Sequence, residues 1–82
     1  MKTLFYFSAP SCENCQILNP VMEVISRKGI PVEKINTDYE LDRAKQAGVR
    51  SIPTVVLAEN EKEIKRFTGV KTAEQIISWL NS

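Results

Sequence analysis

The spacing of apolar and polar positions changes several times along this chain, and each change marks a new element. Residues 3–8, TLFYFS, form a run of aromatic and β-branched residues and predict a buried strand. After the two cysteines, Leu18, Val21, Met22 and Ile25 recur at three- and four-residue steps in line with Cys15, which is one face of a helix. Gly29 is its natural terminator. Pro20 falls inside that helix, where it removes one backbone hydrogen bond and crowds the carbonyl of Gln16; the cost is about 3 kcal/mol and a kink is expected.

IPVEKIN (30–36) reads as a second strand, and TDYELDRAKQAG as a short helix. Thr37 and Glu40 have the spacing of a capping box, and Gly48 closes the segment. TVVLA (54–58) is a continuous apolar strand, residues 63–67 are a more polar one, and ENEK between them is a turn. Thr72 and Gln75 make a second capping box, opening a last helix with Ile76, Ile77 and Leu80 facing inward. The order β-α-β-α-β-β-α predicts an α/β fold in one domain, residues 1–82. The first β-α-β should be a right-handed parallel crossover and the last two strands a hairpin, giving a four-stranded mixed sheet with helices on both faces.

Composition narrows the function. The 82 residues are 43% hydrophobic and 26% charged, with 11 basic and 10 acidic side chains and a net charge of +1. Nothing in this balance points to nucleic acid or an anionic membrane. Mixed-sign stretches such as EKEIKR (61–66) read as a solvated face. No apolar stretch approaches the roughly 20 residues of a membrane span. The N-terminal apolar run is short and ends in Pro10 and the cysteines, not in a small-residue cleavage site, so a cytoplasmic protein is expected; a monomer is expected as well.

The chemistry rests on Cys12 and Cys15, two residues apart and the only cysteines. Such a pair without a secretory signal is catalytic or metal-binding more often than structural. Zinc requires four N or S ligands; this pair supplies two and the chain has no histidine, so a metal would have to be shared between chains or borrow carboxylates. A third reading makes both residues core fillers. The predicted elements favour a working dithiol. They place Cys12 where a strand ends and a helix begins, where unpaired N–H groups and the helix dipole stabilise a thiolate. Such settings lower a cysteine pKa from about 8.5 to roughly 3.5–7.5. Cys15, three residues on and on the same face, can reach back to it. Cys12 would then attack a substrate disulfide and Cys15 would resolve the mixed disulfide.

Taken together, these segments resemble the thioredoxin and glutaredoxin superfamily over essentially the whole chain. CENCQILNPVMEVIS is similar to the thioredoxin active-site helix with its internal proline, here Pro20. GVRSIPTVVL resembles the segment whose proline is cis and faces the cysteines, here Pro53, although X-Pro bonds as a class are mostly trans. TGVKTAEQIISWL resembles the last glycine and terminal helix. The strand and helix that precede this core in full-length thioredoxins have no counterpart, which leaves a chain of glutaredoxin size. The resemblance implies that Ala9, Pro10, Ile52, Pro53, Gly69 and Val70 form a shallow apolar groove around Cys12, with the backbone at Ile52 pairing with substrate like an added strand. Ordinary loop packing is the alternative for Ile52 and Val70.

The chain also departs from the family. Tryptophan before the first cysteine and Gly-Pro between the two are replaced by Ser11 and by Glu13-Asn14. Ser11 is expected to cap the helix. The Glu13 carboxylate should oppose a thiolate at Cys12 and could select partners as a rim charge. The buried aspartate of thioredoxins aligns with Tyr6, and its lysine partner with Lys34; a core aromatic and a solvated lysine are expected there. The glutaredoxin motif residues, an aromatic within the CPYC motif and a paired glycine with acids, are missing. The resemblance thus implies a protein-disulfide reductase with no bound cofactor beyond its own Cys12–Cys15 disulfide, recharged by an NADPH-dependent thioredoxin reductase. Its substrates would be protein disulfides, ribonucleotide reductase among the candidates. A glutathione-coupled glutaredoxin and a non-catalytic thioredoxin-fold binding module are the alternatives.

Overall fold

In the computed structural model, which describes residues 1–82, the elements follow the order read from the sequence. Strand β1 (Lys2–Ser8) leads into helix α1 (Glu13–Arg27), β2 (Val32–Asn36) into α2 (Leu41–Gln46), and β3 (Thr54–Glu59), β4 (Lys62–Thr68) and α3 (Ala73–Asn81) complete the chain. The sheet order is β2-β1-β3-β4, with β1 and β2 parallel and the other two pairs antiparallel.

Because side chains alternate along a strand, β1 serves two cores at once. Leu4 and Tyr6 face α1 and α3 and join Leu18, Met22, Ile25, Val55, Leu57, Phe67 and Ile76 in the larger core. Phe7 faces α2 and packs with Ile35, Ala44 and Val56, with Phe5 at the edge. Ile77 and Leu80 of α3 pack against the larger core as expected, and Trp79 adds an edge-on contact with Phe67, ring centres 4.9 Å apart. The β3–β4 turn places Asn60 and Glu61 both at positive φ, the pattern of a tight hairpin. A bulge opposite Leu57 and Ala58 breaks the β3–β4 register.

Helix α1 runs as one element through Pro20 and ends before Gly29, whose φ of +91° is the left-handed conformation a helix terminator needs. Thr72 and Gln75 form the capping box read from their spacing, each side chain bonding the other's backbone N–H. The box expected at Thr37 and Glu40 does not form. Helix α2 starts only at Leu41, with Glu40 at the cap position and no side-chain cap. Asn36 takes over the turn instead. Its side chain accepts from the Asp38 N–H at 2.9 Å, and its carbonyl accepts from the N–H groups of Tyr39 and Glu40. A side chain that bonds the backbone two residues on competes directly with a helix start, and here it wins.

Candidate active site

After β1 ends at Ser8, the chain turns over Ala9, Pro10 and Ser11, and the Cys12 N–H closes that turn on the Ala9 carbonyl at 3.2 Å. The first helical bond is from the Gln16 N–H to the Cys12 carbonyl, 3.1 Å, so the capping residue is Cys12 itself. Its backbone is extended and its Sγ accepts the Cys15 N–H at 3.1 Å. Ser11 does not cap the helix: it lies one residue too early, inside the closed turn, and is exposed. A sulfur thus sits among the unpaired N–H groups of a helix N-terminus, where negative charge is favoured.

The two cysteines differ in access. Cys15 is completely buried, on the same helix face as Leu18, Met22 and Ile25, whereas Cys12 is partly exposed. They are paired as a disulfide with their Cα atoms 5.1 Å apart, inside the range a disulfide spans. Glu13 is exposed in the first turn of α1. The Gln16 side chain reaches back and donates to the Pro10 carbonyl at 2.7 Å, tying the helix to the loop that carries Cys12.

The second half of the site comes from the far end of the sequence. Pairing of Phe7 with Thr54 and of Thr54 with Thr68 brings the ends of β1, β3 and β4 side by side, so Ala9, Pro53 and Gly69 follow or precede strand ends at the same end of the sheet. The Ile52–Pro53 bond is cis, as the resemblance implied. The Gly69 N–H donates to the Pro53 carbonyl at 2.9 Å, and the Thr54 hydroxyl to the Ser51 carbonyl at 2.6 Å. Gly69 has φ of +86°, a conformation other residues adopt only under strain. Pro53 and Ala9 are buried; Ile52 and Gly69 are partly exposed, and Pro10 and Val70 are exposed. Neither the N–H nor the C=O of Ile52 has a partner within the chain, which leaves a strip of backbone free to pair with another strand.

Tyr6 is a core aromatic, 1% exposed, and Lys34 is an exposed lysine whose ammonium lies 6.0 Å from the Tyr6 ring centre. The tyrosine's hydroxyl has a role that the pattern of apolar positions does not reveal. Its oxygen is 3.1 Å from the Cys15 carbonyl and 2.6 Å from the Asn19 side-chain oxygen. Burial pushes the phenol pKa up to about 12, with the neighbouring Ser8 side chain opposing this to a smaller extent. The only signal in the sequence is Asn19, a polar residue four positions after Cys15 beside an otherwise apolar face.

Comparison with known proteins agrees with this geometry. The family model for thioredoxin matches residues 1–82. A thioredoxin of Chlamydia caviae is 35% identical over 80 residues, covering 95% of this chain and 78% of its own length. A thioredoxin of Rickettsia bellii is 32% identical over 85 aligned positions, covering all of this chain and 81% of its own. Among solved structures, a mutant thioredoxin from Halobacterium salinarum superposes with a TM-score of 0.91 at 28% identity, covering 98% of this chain and 72% of the other. A thioredoxin of Nicotiana alata superposes at 0.88 with 30% identity, covering 98% and 71%. With a helix-capping cysteine, its buried partner three residues on and this degree of likeness over the full length, the chain belongs to the thioredoxin family and is a thiol–disulfide oxidoreductase.

Proposed function

We propose that the protein reduces disulfides of other proteins, with Cys12 as the attacking thiol and Cys15 as the resolving one. The observation that carries this is the difference in access: Cys12 is partly exposed at a helix N-terminus, and Cys15 is buried beneath it. In the first step the Cys12 thiolate attacks a substrate disulfide, forms a mixed disulfide and expels one substrate thiolate. In the second, Cys15 loses its proton and attacks the Cys12 sulfur. The Cys12–Cys15 disulfide forms, the second substrate thiolate leaves, and two electrons have passed to the substrate.

Substrate would lie along Ala9, Pro10, Ile52, Pro53, Gly69 and Val70. The free N–H and C=O of Ile52 would accept it as an added strand, and the exposed Val70 would supply apolar contact. Glu13, exposed one residue from Cys12, disfavours the thiolate and so biases the couple toward the reducing end of the range. Recharging falls to an NADPH-dependent thioredoxin reductase, and the protein works as a monomer in the cytoplasm.

Trapping tests the assignment. Cys15→Ser should accumulate mixed disulfides with protein substrates, Cys12→Ser should form few, and insulin reduction should be lost in both. Equal trapping by the two variants would overturn the roles. Recharging assays with thioredoxin reductase and NADPH against glutathione decide the electron donor.

A further inference from the structure

We propose that the Tyr6 hydroxyl is a positioning group for the resolving step: by donating to the Cys15 carbonyl, it holds the buried thiol in line with Cys12 after the disulfide between them has opened. The inference rests on the roles given to the two cysteines above.

The need for such a hold follows from the local bonding. The first turn of any helix has N–H groups without partners inside the helix. Here the Cys15 N–H is satisfied by the Cys12 sulfur, 3.1 Å away. That same sulfur carries the substrate in the mixed disulfide, where it is called on to turn outward. One residue further, the Gln16 carbonyl lacks its usual helical donor because position 20 is proline. The first turn of α1 is therefore short of internal bonds at the moment when Cys15 must attack. In the oxidised protein the disulfide ties Cys15 down; in the mixed disulfide it does not.

Tyr6 supplies an anchor from outside the helix. It stands on β1, paired with Val55 and Lys34 in the middle of the sheet, and it is 1% exposed. Its ring is thus fixed by packing on a central strand of the sheet. The hydroxyl has one proton and two acceptors within reach, the Cys15 carbonyl at 3.1 Å and the Asn19 oxygen at 2.6 Å. Asn19 is partly exposed on α1 and competes for that proton. With its pKa pushed up to about 12, the phenol stays protonated, and so stays a donor, across the whole range in which thiols exchange.

A chromogenic aromatic disulfide separates the two steps, because one coloured thiolate is released as Cys12 attacks and the second as Cys15 resolves. Tyr6→Phe keeps the ring and removes the donor. It should leave the first release within about twofold of wild type and slow the second roughly three- to tenfold, the loss expected for one hydrogen bond. Asn19→Ala removes the competing acceptor and should resolve at least as fast as wild type. Unchanged resolution in Tyr6→Phe, or equal slowing of both phases, would overturn the proposal, as would equal slowing of resolution by the two variants. Were Tyr6→Phe unable to fold, wild type decides. Deuterium at the tyrosine hydroxyl should shift the Cys15 carbonyl carbon resonance in the reduced protein, and no shift there would overturn the proposal. Failure of the underlying roles would look different: Cys12→Ser would then show the first release and Cys15→Ser none.

Discussion

The two faces of the sheet are built differently, and the redox pair is mounted on only one of them. On the α1 and α3 face, nine buried side chains make a continuous core, and α1 contributes Leu18, Met22 and Ile25 to it below Cys15. On the other face, four buried residues meet a helix of six residues, too short to hold together in water by itself. A groove of about 430 Å³ remains there, lined by Phe5, Phe7, Val56 and Ala58 among others. Charged side chains hold α2 at its rims. Arg43 on α2 pairs with Glu33 on β2, and Arg66 on β4 donates to the Ala47 carbonyl just past the end of α2, at 2.6 Å, while pairing with Glu63. The difference teaches where rigidity is needed. A sulfur that must lie within bonding distance of its partner is backed by apolar packing, while the thinner face relies on exposed polar ties that water and salt weaken.

The strongest way to break this comparison uses two isoleucines, Ile25 on α1 and Ile35 on β2, each 0% exposed. Ile→Ala in a core costs about 2–5 kcal/mol, more where the surroundings cannot settle into the gap. Ile25→Ala should fall at the upper end and Ile35→Ala at the lower, because the short α2 can move inward. Urea unfolding of the two variants measures this, and equal losses would mean that both faces are packed alike. Next in size is a pair of threonines. Thr72→Ala removes one arm of a formed capping box on α3 and should cost about 1 kcal/mol. Thr37→Ala, where no box forms, should stay within about 0.5 kcal/mol of wild type in the same assay.

The smallest expected effect belongs to the charged rim. The Arg66 guanidinium holds the Glu63 carboxyl below its usual value. A carboxyl whose pKa is lower in the folded than in the unfolded chain stabilises the fold above its unfolded pKa, about 4.3, and loses that contribution as pH falls through the folded value. Glu63→Gln should therefore cost a few tenths of a kcal/mol at neutral pH, in keeping with an exposed pair. The difference from wild type should begin to shrink in thermal melts as pH falls past about 4.3 and vanish only below the lowered folded value.

What the sequence by itself determined is what depends on near neighbours along the chain. Periodicity laid out the strands and helices in order, because burial repeats every two residues in a strand and every 3.6 in a helix. The Thr72–Gln75 box was legible because both partners lie within one turn. The same holds for Cys12 at the helix start with Cys15 on its buried face. Identical reasoning failed at Thr37, where Asn36, a closer competitor for the same N–H groups, set the turn. It failed again at Ser11, which the Ala9–Cys12 turn places one residue before the cap. The tertiary structure alone decided contacts between remote segments: the Tyr6 hydroxyl on the Cys15 carbonyl, the Phe67–Trp79 edge contact, and the meeting of Ala9, Pro53 and Gly69 at the ends of their strands. It also decided the isomer at Ile52–Pro53, for which residue preference favours trans and only family resemblance implied cis. Local spacing specifies which groups meet within a turn, because the backbone leaves few ways to place them. Which groups meet across the sheet depends on strand order and register, set jointly by every residue that shares the core.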